Sequence, residues 1–130
     1  MSPLLSYLLV CGRVIRDEYI GGLFTYLDIF EVVLIPKGQT STVRSFVVVG
    51  KLNAAKSGLL NIEVKIIDPD KNEFAKSVIV GPAAMGDTEI AARFDLLTFQ
   101  KTGRYTLQVT VDGTPLEDGG RYYFEVKNEV

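Results

Sequence analysis

The densest set of oxygen ligands in the chain is Asp68, Asp70, Asn72 and Glu73, within DPDKNE. Carboxylate and amide oxygens at alternate positions are how a calcium loop begins. The pattern then breaks. Glu73 stands where such a loop needs glycine, and Ile79 stands where its bidentate glutamate belongs. A hairpin turn is expected here, and no metal site. A second acidic group, Glu117 and Asp118 with Arg121 in PLEDGGRYYF, sets two carboxylates near a guanidinium. Acid–base work would need one carboxylate with a shifted pKa. Adjacent carboxylates in a glycine-rich loop are expected to be solvated. Cys11 carries the only thiol, and the chain contains no histidine to activate it. Beside Leu9 and Val10 it is expected to pack as a small hydrophobe. No catalytic residue, no cofactor and no enzyme activity is therefore expected.

Two further groups could bind rather than react. Between Val32 and Asn61 the charged residues are all cations: Lys37, Arg44, Lys51 and Lys56. They could form a basic patch for an acidic partner, or sit solvated on separate strands and loops. Tyr19 and Tyr123 could offer flat faces to a sugar ring or small molecule, although the chain lacks tryptophan. Tyr122 falls on an apolar stripe and is expected in the core.

The totals narrow the field. The 130 residues suit one domain spanning 1–130. With 47% hydrophobic and 23% charged residues the composition is that of a folded globular chain. A formal charge of -2 does not favour nucleic acid. The lone cysteine fits a reducing compartment. LLVC could pass for a lipoprotein signal, but no Lys or Arg precedes the apolar run and Val10 is large for a cleavage site. No run approaches the about 20 apolar residues of a membrane span. A cytoplasmic location without membrane contact is expected.

Alternation dominates what remains. Leu60, Ile62, Val64 and Ile66 form one apolar stripe, with Asn61, Glu63 and Lys65 opposite. Tyr105, Leu107, Val109 and Val111 form another, with Thr106, Gln108 and Thr110 opposite. Tyr122, Phe124 and Val126 form a third. One apolar face and one polar face mark antiparallel sheets packed on one side. Turn residues separate about eight such runs, which predicts an all-β, two-sheet antiparallel sandwich. LLSYLLV and SFVVVG are apolar on both faces. Such strands lie centrally, or their second face is covered by a loop or another chain, as in a homo-oligomer. Residues 88–97 fit a helix capped by Asp87, or a strand with Ile90, Ala92, Phe94 and Leu96 inward. The strand is favoured because it leads directly into the next motif.

Gly103-x-Tyr105-x-Leu107 resembles the tyrosine corner of immunoglobulin-like sandwiches. The resemblance implies a Tyr105 hydroxyl bonded back to the backbone and a Gly103 freeing the chain for a tight crossing. Leu107 replaces the usual second cysteine, so a broad likeness is implied rather than a true immunoglobulin domain. LLVCGRVIRDEYIGGLFTYLDIFEVV, with the later Gly-x-Tyr strand, resembles a family of small uncharacterised bacterial proteins, a domain of unknown function. The resemblance covers nearly the whole chain and implies no active site. The function expected from these readings is a non-enzymatic interaction or assembly module, a homo-oligomer or one with an unidentified protein partner. The alternative is a β-sandwich that binds a small molecule or carbohydrate.

Overall fold

The computed structural model describes residues 4–17, 23–54, 58–83, 86–116 and 121–130. Every regular element among them is a strand. They are β1 (Leu4–Asp17), β2 (Leu23–Phe30), β3 (Val32–Ile35), β4 (Thr42–Ala54), β5 (Gly58–Ile67), β6 (Glu73–Ala83), β7 (Gly86–Phe99), β8 (Gly103–Val111), β9 (Thr114–Pro115) and β10 (Tyr123–Asn128). Ten strands replace the expected eight because two short ones, β3 and β9, carry too few residues to show alternation. One sheet has the order β2-β1-β4-β7 and the other β3-β10-β8-β5-β6, with β9 beside β8. The pairings are antiparallel except β3 with β10, which is parallel. The two sheets pack as a sandwich.

The stripes read from the sequence form its interior. Leu60, Ile62, Val64 and Ile66 on β5 are buried, as are Tyr105, Leu107, Val109 and Val111 on β8. Phe124 and Val126 are buried on β10, with Tyr122 partly buried against them. Opposite them, β4 and β7 contribute Phe46, Val48, Leu52, Ile90, Ala92 and Phe94. Rings gather at the centre. Phe99 lies 5.3 Å from Tyr105 and 5.8 Å from Phe124, and Phe46 stacks 6.3 Å from Phe99. Such ring pairs add roughly 0.5–1.5 kcal/mol each beyond area burial.

Two positions depart from the expected alternation. Residues 88–97 are strand, but Leu96 faces solvent rather than the core, at 75% exposed. Opposite Ser45 of β4, β7 inserts one extra residue, because Arg44 pairs Leu97 while Phe46 pairs Phe94. The bulge puts Leu96 at φ +53° and its N–H donates to Ser45 Oγ at 2.9 Å. The phase then shifts, so Leu97 packs on the core and Phe99 is buried. Thr110, expected in water, is 4% exposed. It has β5 on one side and β9 on the other, through Glu63 and Pro115.

The tyrosine corner forms as its residues imply. Tyr105 Oη donates to the Lys101 carbonyl at 2.8 Å. Gly103 adopts φ +133°, and a Cβ there would lie 2.9 Å from Pro69 Cγ. Gly103 therefore serves both a backbone angle and a close approach. Removing the hydroxyl with Tyr105→Phe is expected to cost about 1 kcal/mol in urea unfolding. Gly103→Ala, which keeps the hydroxyl but strains the backbone and meets Pro69, is expected to cost more. Equal stability of Tyr105→Phe and the unaltered chain would show that the corner bond contributes nothing.

Candidate functional site

The acidic run DPDKNE closes the β5–β6 hairpin. Asp68 Oδ1 accepts from the N–H groups of Asp70 and Asn72, both at 2.9 Å. Lys71 takes φ +71°, and its N–H donates to the Asp68 carbonyl at 3.0 Å. Lys101 reaches in from the corner, bonding Asp70 and lying 3.8 Å from Asp68. The hydrogen bond to Asp70 pushes the Lys101 ammonium pKa up. The turn is thereby clamped to the corner, with Pro69 seated on Gly103.

The remaining candidates are dispersed. Glu117, Asp118, Tyr19 and Lys56 lie outside the described residues. Arg121 is exposed, with its guanidinium 5.4 Å from the Tyr122 ring centre. Cys11 is fully buried, and burial pushes its thiol pKa up, which keeps it protonated and unreactive. Lys37 is exposed in the turn after β3, and its N–H lies 3.5 Å from Glu129 Oε1. Arg44 lies 5.4 Å from the Phe30 ring centre, whereas Lys51 pairs with Glu89 at 3.7 Å. The alternation of β4 sends Arg44 and Lys51 to opposite faces of their sheet, so these cations do not converge. The Arg104 guanidinium already covers the Tyr123 ring, at 3.9 Å.

What the fold does bring together was not visible in the sequence. Tyr26 Oη donates to Glu89 Oε2 at 2.7 Å and lies 2.9 Å from Tyr7 Oη, which bonds the same carboxylate oxygen at 3.1 Å. In a flat sheet this would be out of reach. β2 and β7 are opposite edges of a four-stranded sheet, about 14 Å apart. Tyr26 also pairs with Val14, seven residues beyond Tyr7 and about 23 Å away along a straight strand. The β1–β2 ribbon must therefore fold back over the outer face of its own sheet. The fold lies at Gly12 and Asp28. Asp28 has φ +59°, and a Cβ at Gly12 would sit 3.2 Å from Asp28 Cβ. The outward-facing Val49 and Cys11 are nonetheless 1% and 0% exposed, as a ribbon lying over this face requires. This cover accounts for the runs that are apolar on both faces. The available signal was a tyrosine, Tyr7, set within LLSYLLV.

The same folding leaves a strand edge open. β1 pairs with β4 from Leu4 to Cys11, but with β2 only from Val10 onward. Among the described residues, the far edge of Leu4–Leu9 has no partner strand. It opens on a cleft of about 320 Å³. Leu8, Val10, Ile29, Phe30, Leu107 and Tyr122 make its apolar lining, with Glu31 and Arg121 supplying the charges. Glu31 lies beside Glu125, whose N–H donates to its carbonyl at 2.9 Å. Arg121 is four residues away along the chain entering β10, about 13 Å in extended backbone.

The family of unknown function DUF6941 matches residues 6–126, nearly the whole chain, and the protein belongs to that family. No curated protein matches it.

The ribbon latch has a pH signature. Burial, then the bonds to Tyr7 and Glu89, push the Tyr26 pKa well above its usual 10. Burial also raises Tyr105. A phenol whose pKa is raised on folding contributes stability that is intact below its unfolded value and is lost as pH rises toward the folded one. Stability is therefore expected to fall from about pH 10 upward. Tyr26→Phe should flatten that fall, read as the change in urea midpoint between pH 9 and pH 11 (roughly bracketing the unfolded value). An unchanged slope would refute the latch as its source.

Proposed function

We propose that this member of DUF6941 is a non-enzymatic interaction module that captures an extended segment of a partner protein along the free edge of β1. One observation carries the reading: the unpaired edge of Leu4–Leu9 opens directly on an apolar cleft. A strand edge offers N–H and C=O groups at fixed spacing, and an added strand satisfies them. The backbone ladder would supply affinity, and the cleft would select alternate side chains. Apolar residues suit Leu8, Ile29 and Phe30. An acidic residue suits Arg121, and a basic one suits Glu31.

Several features support a binding rather than a catalytic role. The groups with raised pKa values, Cys11, Tyr26, Lys101 and Tyr105, belong to the packed elbow, the latch and the corner. The strand order, the parallel β3–β10 pair and the tyrosine corner support an immunoglobulin-like architecture, one widely used for recognition. The buried, unpaired Cys11 supports a reducing, cytoplasmic setting. The cleft volume, at the small end of the range for ligand pockets, favours a small apolar molecule as the second reading.

Panning a random peptide display library on the full chain tests the proposal. Selected peptides are expected to carry alternating apolar residues. Ile29→Asp and Arg121→Glu, both at exposed positions of the cleft, should weaken them at least about tenfold, or 1.4 kcal/mol. Val80→Asp on β6 should leave binding unchanged. Peptides indifferent to the cleft variants, or no selection at all, would defeat the reading. A fragment-screen hit in the cleft without peptide binding would favour the small molecule.

A further inference from the structure

Among the described residues, the element that reaches over the outer face of the β2-β1-β4-β7 sheet at Tyr7 and Glu89 is the folded-back β1–β2 ribbon. Its own ladder, from Val10↔Phe30 to Asp17↔Leu23, travels with it as a unit. Among the described residues, its side-chain hydrogen bonds to the sheet it covers run through Tyr26 to Tyr7 and Glu89. If the ribbon lifts, Val49 and Cys11 lose their cover. The one surface already known to complement that face is another copy of the same ribbon.

We propose that the ribbon is exchangeable between chains: it swings out about Gly12 and Asp28 and docks on the same sheet face of a second copy, giving a two-fold dimer. The intermolecular contact is then continuous with the existing intramolecular one, residue for residue. Tyr26 of each chain meets Tyr7 and Glu89 of the other. Such exchange needs no new complementary surface, because each face receives the contacts it gave up.

The hinge favours opening in two ways. Closed, it holds Asp28 in the left-handed region at φ +59°, packed so near Gly12 that a Cβ there would lie 3.2 Å from Asp28 Cβ. Straightening returns Asp28 to extended backbone. Closed, β1 also leaves β4 at the Cys11↔Val47 pair, so Thr42–Phe46 of β4 have a strand partner on the β7 side only, among the described residues. A straightened β1 continues in register, with Gly12 opposite Phe46 and Arg13 opposite Ser45. The open form thus gains ladder bonds that the closed form cannot make. This inference stands on the latch and hinge, and is independent of the peptide-capture reading at the β1 edge.

The full chain, isotope-labelled and unlabelled in equal parts, is unfolded together and refolded at high concentration. Light scattering is expected to show a dimer whose fraction rises with concentration. Isotope-filtered spectra of that dimer should show Tyr26–Tyr7 ring cross-peaks between labelled and unlabelled chains. Asp28→Gly, which removes the strain of the closed hinge at an exposed position, should lower the dimer fraction several-fold. A protein that stays monomeric at every concentration overturns the proposal. So does a dimer whose Tyr26–Tyr7 cross-peaks remain within one chain, or an Asp28→Gly dimer fraction equal to that of the unaltered chain.

Discussion

A strand that is apolar on both faces has to be covered on both. β4 is that strand here. Phe46, Val48 and Leu52 point into the sandwich, while Val49 points away from it and is just as buried. At roughly 25 cal/mol per Å² of apolar surface, leaving the outward side of β4 and β1 in water would cost a few kcal/mol. The chain meets this by laying the second half of β1, with β2 beside it, over that face. β1 supplies half of its length to the sheet and the other half to the ribbon that lies over it. The elbow at Gly12, the left-handed Asp28, the buried Cys11 and the Tyr7–Tyr26–Glu89 latch are all consequences of that arrangement.

The cover also explains where the recognition surface lies. Once β1 has turned away at its midpoint, β2 leaves with it, and the first half of β1 keeps an open flank. The gap between that flank and Tyr122 of the other sheet becomes a cleft. Neither end of the chain would produce it alone. An N-terminal strand running straight along β4 would have no elbow. A sheet with β2 paired along the full length of β1 would have no open edge.

Much of the sandwich was legible because its signals are local. The stripes of β5, β8 and β10 repeat every second residue, and burial follows them nearly without exception. Gly103-x-Tyr105 announced its corner because the bond closes over four residues. The hairpin at Asp68 was legible for the same reason. Leu96 was misplaced because its bulge is set by Ser45 on a neighbouring strand, 51 residues away. The latch was illegible because its partners are 19 and 63 residues from Tyr26. The cleft was hidden further still, since it is defined by a strand pairing that stops short. Alternation along β4 divides Arg44 from Lys51, a separation that the run of cations along the sequence does not register.

The parallel strand β3 has a consequence for how the chain reaches this state. Among the described residues, Val32–Ile35 pairs only with Glu125–Asn128 of β10, about ninety residues later. Closing a loop of that length carries a high entropic cost and is slow relative to the hairpins formed by neighbours in sequence. During synthesis, β3 waits for β10 to emerge before it finds its partner. A truncation that removes β10 strips β3 of its partner as well as β8, so the loss of a few C-terminal residues reaches back to the first quarter of the molecule. β3 and β10, widely separated in sequence, are thereby tied into one cooperative unit.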